Sequence, residues 1–172
     1  MATLKVDDSL EFHFAPNVSA WAYDQSIHYK NAQKIKQQLK AVDLVAADKT
    51  KLRPPVCWLV EAKDFRKLRG EPKPKNDAAN LPGTVAQKVA DTLSELPSVQ
   101  GIPTVELALR ATAVRVVLHL ETAPAKSRLF PNQPNPANMR QKLRQLLRHI
   151  DPSPLVLSIE TTPKADVPWS VS

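Results

Sequence analysis

Five apolar residues run without interruption from Val56 to Val60, and Glu61, Ala62 and Lys63 follow them directly. A short continuous apolar run predicts a strand buried on both faces. Residues two apart in a strand share a face, so Leu59, Glu61 and Lys63 are expected side by side. Residues 41–47 (AVDLVAA) form a second apolar run that carries one acid, Asp43. The intervening stretch 48–55 is polar and ends in two prolines. It predicts an antiparallel pair that brings Asp43 near Glu61.

The rest of the chain alternates helix and strand patterns. Residues 10–14 alternate apolar and polar and predict a half-buried strand ending near Pro16. Trp21, Tyr23 and Asp24 are expected in a linker or a first helical turn. Residues 26–40 lack glycine and proline. There Ile27, Ile35 and Leu39 form a narrow apolar stripe, with Lys30, Lys34, Lys36 and Lys40 on the polar side. His28 is expected on the polar or boundary face of this helix. Residues 84–96 predict a second helix, with Thr84 as N-cap, Val85, Val89, Leu93 and Leu96 as its stripe and Pro97 as its stop. A short helix over 103–110 and a β-branched strand over 113–120 follow. Residues 136–150 predict a helix capped by Asn135 or Asn138, with Met139, Leu143, Leu146, Leu147 and Ile150 on its apolar side. A last strand spans 155–159, and the tail from Pro163 is expected to fray.

Composition narrows the function classes. A chain of 172 residues fits one domain, 1–172, with its core over about 10–120 and a C-terminal helix and strand over 136–160. No apolar run approaches the roughly 20 residues of a membrane span. Residues 1–10 lack the apolar centre of a signal peptide, so a cytoplasmic location is expected. Cys57, the only cysteine, is expected as a buried, inert thiol. One cysteine and four histidines give no zinc spacing, three glycines cannot form a phosphate-binding loop, and no serine sits in a nucleophile elbow.

Charge adds a direction. The net charge is +7, which favours polyanionic partners. Arg66, Lys67, Arg69, Lys73 and Lys75 crowd the proline-containing stretch 66–82, which reads as a solvated loop or as one that orders on a phosphate backbone. Arg140, Arg144 and Arg148 recur every four residues, as a solvated helix face or as phosphate contacts. Asp43, Glu61 and Lys63 are the sharper signal. Two carboxylates and a lysine at one strand end suit a divalent metal with a positioned water. A plain salt bridge between Glu61 and Lys63, with Asp43 guarding an edge strand, accounts for the charges. It does not account for their gathering at the ends of two adjacent apolar strands.

The order strand, helix, strand with Asp43, strand with Glu61 and Lys63, helix, strand resembles the PD-(D/E)XK nuclease superfamily, the restriction-endonuclease-like fold, over about residues 10–120. Glu61-Ala62-Lys63 matches the acid–any residue–lysine signature, while Val42 stands where a proline often precedes the first acid. Phe12-His13-Phe14, then Trp21, Tyr23 and Asp24, then the acid strand and EAKDF, look like an uncharacterised branch. The resemblance implies an α/β fold, a central mixed sheet flanked by helices. It implies Mg²⁺ or Mn²⁺ held by Asp43, Glu61 and the Ala62 backbone carbonyl, with Lys63 positioning or deprotonating the attacking water. Asp24 is a candidate further ligand, and Gln87 a candidate polar residue of the following helix. The implied activity is a metal-dependent nuclease, with DNA as the expected substrate, in restriction, defence or repair. One active site per chain would favour a homodimer or a partner protein for double-strand cutting. The rival is a non-catalytic nucleic-acid-binding or scaffold protein that keeps the fold.

Overall fold

The computed structural model describes residues 2–6, 9–49, 54–66, 77–122 and 135–172, with the backbone alone over 77–79. In chain order these form β1 (Ala2–Val6), β2 (Leu10–Phe14), β3 (Val18–Ala22), α1 (Ile27–Ile35), β4 (Leu44–Asp48), β5 (Val56–Asp64), α2 (Asp77–Glu95), α3 (Pro103–Leu109), β6 (Ala113–Glu121), α4 (Pro136–Leu146), β7 (Leu155–Leu157) and β8 (Trp169–Val171). Five strands make one sheet in the order β3-β4-β5-β6-β7, and β1-β2-β8 make a second. The apolar runs pair as expected: β4 lies antiparallel to β5, with Leu44 opposite Val60. β6 then joins β5 in parallel, and β7 joins β6 in parallel. Parallel neighbours need a crossover, and α2 with α3 supplies it between β5 and β6. The architecture is therefore α/β, a mixed sheet flanked by helices.

Strand alternation divides the interior into two cores. Val45, Leu59, Val116 and Leu118 pack against Val85 and Val89 of α2, Val105 of α3 and Leu143 of α4. Leu44, Val60, Ala62 and Val117 pack on the other face against Phe12, Phe14, Trp169 and Val171 of the small sheet. The five-stranded sheet thus lies between a helical layer and a three-stranded layer. β5 is its middle strand, which is why its run is apolar on both faces. Cys57 is buried there, and burial pushes its thiol up to about 12, so the thiolate is not accessible chemically near neutral pH.

Several elements differ from their expected form. Asp43 lies one residue ahead of β4, not inside a strand over 41–47. The first helix stops at Ile35, where the Lys36 N–H closes on the Ala32 carbonyl, and none of its residues is buried. Ile27 and Ile35 are 64% and 84% exposed. Helix α1 is held by the Ser26 cap on the Tyr29 N–H and by the Tyr29 hydroxyl on the Leu39 carbonyl, not by an apolar face.

Helix α2 begins at Asp77, so Thr84 lies inside it and is not its cap. It runs through Pro82, which lies in its second turn and costs about one helical hydrogen bond. Leu81 beside it is 4% exposed, and that burial holds the early turns against the sheet. Helix α4 ends at Leu146, with Asn135 as its cap accepting from the N–H groups of Ala137 and Asn138. Trp21, expected in a linker or a first helical turn, lies in β3 instead, because residues 18–22 pair with β4 along its whole length. The tail does not fray: β8 pairs with β2, and Trp169 packs edge-on against Trp58 at 5.3 Å. The buried Trp169 ring and Val171, with the backbone pairing to β2, anchor this short strand.

Candidate active site

The site forms where β5 emerges between the hairpin and α2. Glu61 is fully buried and Asp43 is 6% exposed. Lys63, two residues along the same face, places its Nζ 3.0 Å from Glu61 Oε1 and keeps 30% of its side chain exposed. Asp43 is positioned from both sides. Its Oδ2 accepts the Ala62 N–H at 2.7 Å, and its own carbonyl accepts the Tyr23 N–H at 3.0 Å. Just upstream, Thr92 Oγ1 accepts the Val42 N–H and Asp91 Oδ2 accepts the Lys40 N–H. Helix α2 therefore fixes the segment that delivers Asp43.

A second lysine completes the cluster. Lys88 of α2 places its Nζ 2.7 and 2.9 Å from the two Glu61 carboxylate oxygens and 3.8 Å from Asp43 Oδ1. Leu81, Val85, Lys88 and Thr92 follow a four-three-four spacing, which puts Lys88 on the sheet-facing side of α2. A lysine within such a stripe was the available sequence signal. Two carboxylates and two ammonium groups thus share one largely buried volume. Burial, and then the neighbouring Glu61 carboxylate, push the Asp43 carboxyl up to about 6. Lys88, the Ala62 N–H and Lys63 pull the other way.

The other expected site residues divide into four groups. Asp24 and Gln87 line one cleft of about 530 Å³ together with Lys88, Tyr29 and Lys40. Asp24 is half-buried, and Gln87 is exposed on α2. Arg66 stands on the other face of the β5 end, where its Nε and an Nη each donate to Asp64, at 2.9 and 2.8 Å. That fork is occupied by a carboxylate, which leaves little of it for a phosphate. Lys67, Arg69, Lys73 and Lys75 lie outside the described residues. Arg140, Arg144 and Arg148 are exposed on and just after α4, and Arg144 and Arg148 line a shallow groove beside Pro152.

The donor set suits a hard cation. Asp43 and Glu61 oxygens converge on a point that already carries the Lys88 positive charge. Among the described residues no group of three or more His, Cys, Asp or Glu side chains gathers. Two carboxylates are donors of the kind that Mg²⁺ takes while keeping several waters.

A second buried pair lies on the opposite face of the same strand ends. His119 Nε2 is 2.9 Å from Glu121 Oε1, against the Phe12 ring. Glu121 also accepts the Ile159 N–H, which ties the end of β6 to the chain after β7. This pair faces the small sheet and is separate from Glu61 and Lys63.

Comparison with known proteins adds one partial likeness. No family model and no solved structure matches the chain. It is similar to a cysteine–tRNA ligase of Neisseria meningitidis, 29% identical over 150 residues. The similarity covers 76% of this chain and 21% of that enzyme, so the chain spans about a fifth of the relative's length. No helix among the described residues is long and apolar enough to cross a membrane.

Proposed function

We propose that this protein is a metal-dependent hydrolase of phosphodiester bonds in nucleic acid, with DNA as the expected substrate. The observation that carries this reading is the meeting of Asp43, Glu61 and Lys63 at the end of the central strand. Asp43, Glu61 and the Ala62 carbonyl are the candidate ligands of Mg²⁺ or Mn²⁺. The chemistry supplied by a bound ion of this kind is polarisation of the phosphate and a lowered pKa of water. Glu61 holds the Lys63 ammonium at the rim of the site, where it can orient the attacking water and offset charge on the phosphate. The Ala62 N–H fixes Asp43, so its second oxygen keeps one orientation. Asp24 and Gln87 in the adjoining cleft are positioned to contact substrate or solvent beside the reacting phosphate.

The test is cleavage of supercoiled plasmid and of labelled single strands with Mg²⁺ or Mn²⁺, comparing wild type, Lys63→Ala and Asp43→Ala. Cutting that both substitutions abolish is expected. Cutting that survives in both, or no cutting by wild type with any of these substrates, would overturn the reading.

A second reading is favoured by the partial likeness to a tRNA ligase and by the net positive charge. On it the chain binds nucleic acid without cutting, through the exposed Arg140, Arg144 and Arg148. A gel shift by wild type and by Asp43→Ala alike, without cleavage, is its signature. On the first reading, cutting both strands of a duplex would favour a homodimer or a partner protein.

A further inference from the structure

We propose that Lys88 is a tethered counter-ion that exchanges with the divalent cation: it holds the place between Glu61 and Asp43 until a metal displaces it into the neighbouring cleft. This rests on the metal-site reading above and concerns what the site does before metal arrives. The argument begins with geometry. Lys88 Nζ bridges both Glu61 oxygens at 2.7 and 2.9 Å and stands 3.8 Å from Asp43 Oδ1. A Mg²⁺ ion binds oxygen at about 2.1 Å and would have to approach the same oxygens. Ammonium and metal therefore cannot occupy this point together.

Charge leads to the same exchange. With Lys63 and Lys88 in place, two negative and two positive groups balance. A divalent ion added without release of Lys88 would leave two uncompensated positive charges beside a fully buried Glu61, which is costly. Release is open to Lys88 and not to Glu61. Lys88 is 18% exposed at its side chain and also lines the cleft of about 530 Å³ with Asp24 and Gln87. Rotation about its flexible stem carries the ammonium from the carboxylates into that cleft. Lys63 and Lys88 together offset the two adjacent buried carboxylates. The exchange makes metal affinity depend on how firmly Lys88 is held.

Two measurements test the exchange. Mn²⁺ binding is followed by electron paramagnetic resonance for wild type, Lys88→Met and Glu61→Gln, with melting temperatures to confirm folding. In parallel, acetylation of Lys88 in wild type is read by mass spectrometry with and without Mn²⁺, using exposed Lys142 as internal reference. Expected are binding roughly tenfold or more tighter in Lys88→Met, loss of binding in Glu61→Gln, and faster acetylation of Lys88 when Mn²⁺ is present. Equal or weaker binding by folded Lys88→Met, or unchanged Lys88 acetylation at saturating Mn²⁺, overturns the exchange and leaves the metal site standing. Absence of Mn²⁺ binding in wild type and Lys88→Met alike overturns both. If Lys88→Met does not fold, the wild-type acetylation result decides.

Discussion

The Asp43 carboxylate accepts the backbone N–H of Ala62 at 2.7 Å, so the first acid of the site is bonded to the strand that carries the second. This bond ties the hairpin chemically as well as sterically. Replacing Asp43 by Asn keeps an oxygen acceptor, whereas Ala leaves a buried N–H without one. Asp43→Ala is expected to cost about 1–3 kcal/mol and Asp43→Asn less. Urea unfolding of the two variants checks the order. Both variants are expected to lose Mn²⁺ binding, because the amide carries no charge.

Lys63 is the more exposed lysine and contributes little to the core. Lys63→Ala is expected to lower cleavage by roughly 10²–10⁴-fold, with a melting temperature close to that of wild type. Rates under single-turnover conditions and a thermal melt separate the two effects. A large fall in melting temperature with proportionate loss of activity would assign Lys63 to structure.

Thr92 positions Asp43 from a distance. Its hydroxyl accepts the Val42 N–H at 3.1 Å. Thr92→Val keeps the shape and removes the acceptor, so it is expected to destabilise by about 1–3 kcal/mol and to weaken Mn²⁺ binding. Thr92→Ser restores the acceptor and should recover the binding. Recovery by serine is the readout that a general packing defect would not give.

His119 gives the fold a pH dependence. Burial holds its imidazole below the usual 6.5, against the pull of Glu121 and Asp64 and with Arg66 adding to the lowering. The unfolded chain therefore takes up the proton first as pH falls below 6.5, and stability is lost over that range. Asp43 works in the opposite sense. Its carboxyl sits near 6 against an ordinary 3.8, so its contribution is full below 3.8 and lost as pH rises through about 6. The difference between wild type and His119→Gln isolates the histidine. In urea unfolding between pH 5 and 8, the wild type is expected to lose stability toward acid more steeply than the variant.

Ile27 and Ile35 of α1 contribute no core surface. Ile35→Lys is expected to change stability by no more than about 0.5 kcal/mol, whereas Val89→Ala in α2 should cost several times that. Parallel thermal melts compare them.

The hairpin and its charges were legible because strand alternation is a local rule: the five-residue apolar run and the two-residue spacing of Glu61 and Lys63 act within one element. Lys88 escaped because most helical lysines are solvated, and only its place in the stripe of Leu81, Val85 and Thr92 set it apart. The Ile27–Ile35 stripe misled because a periodic pattern says which residues share a face, not that another element covers it. β8 escaped because three residues carry almost no periodic signal, and its partner β2 lies at the other end of the chain. The start of α2 was placed late because Pro82 reads as a boundary, while the buried Leu81 carries the helix through it.

The alternation of β5 between two cores has a consequence for mutational tolerance. From Val60 to Asp64, one set of side chains faces the helices with the charged cluster, and the interleaved set faces the small sheet. A saturation scan along this segment should therefore separate into two nested alphabets. Positions 60 and 62 should accept only small or apolar letters and be read in folded yield. Position 63, 30% exposed, should accept other letters for folding far more readily than for metal binding, whereas position 61 should accept few for either, because its buried carboxylate offsets Lys63 and Lys88. The strand is in effect two texts written in alternate characters, one specifying the protein's solidity and the other its chemistry, with Glu61 the one letter that both share.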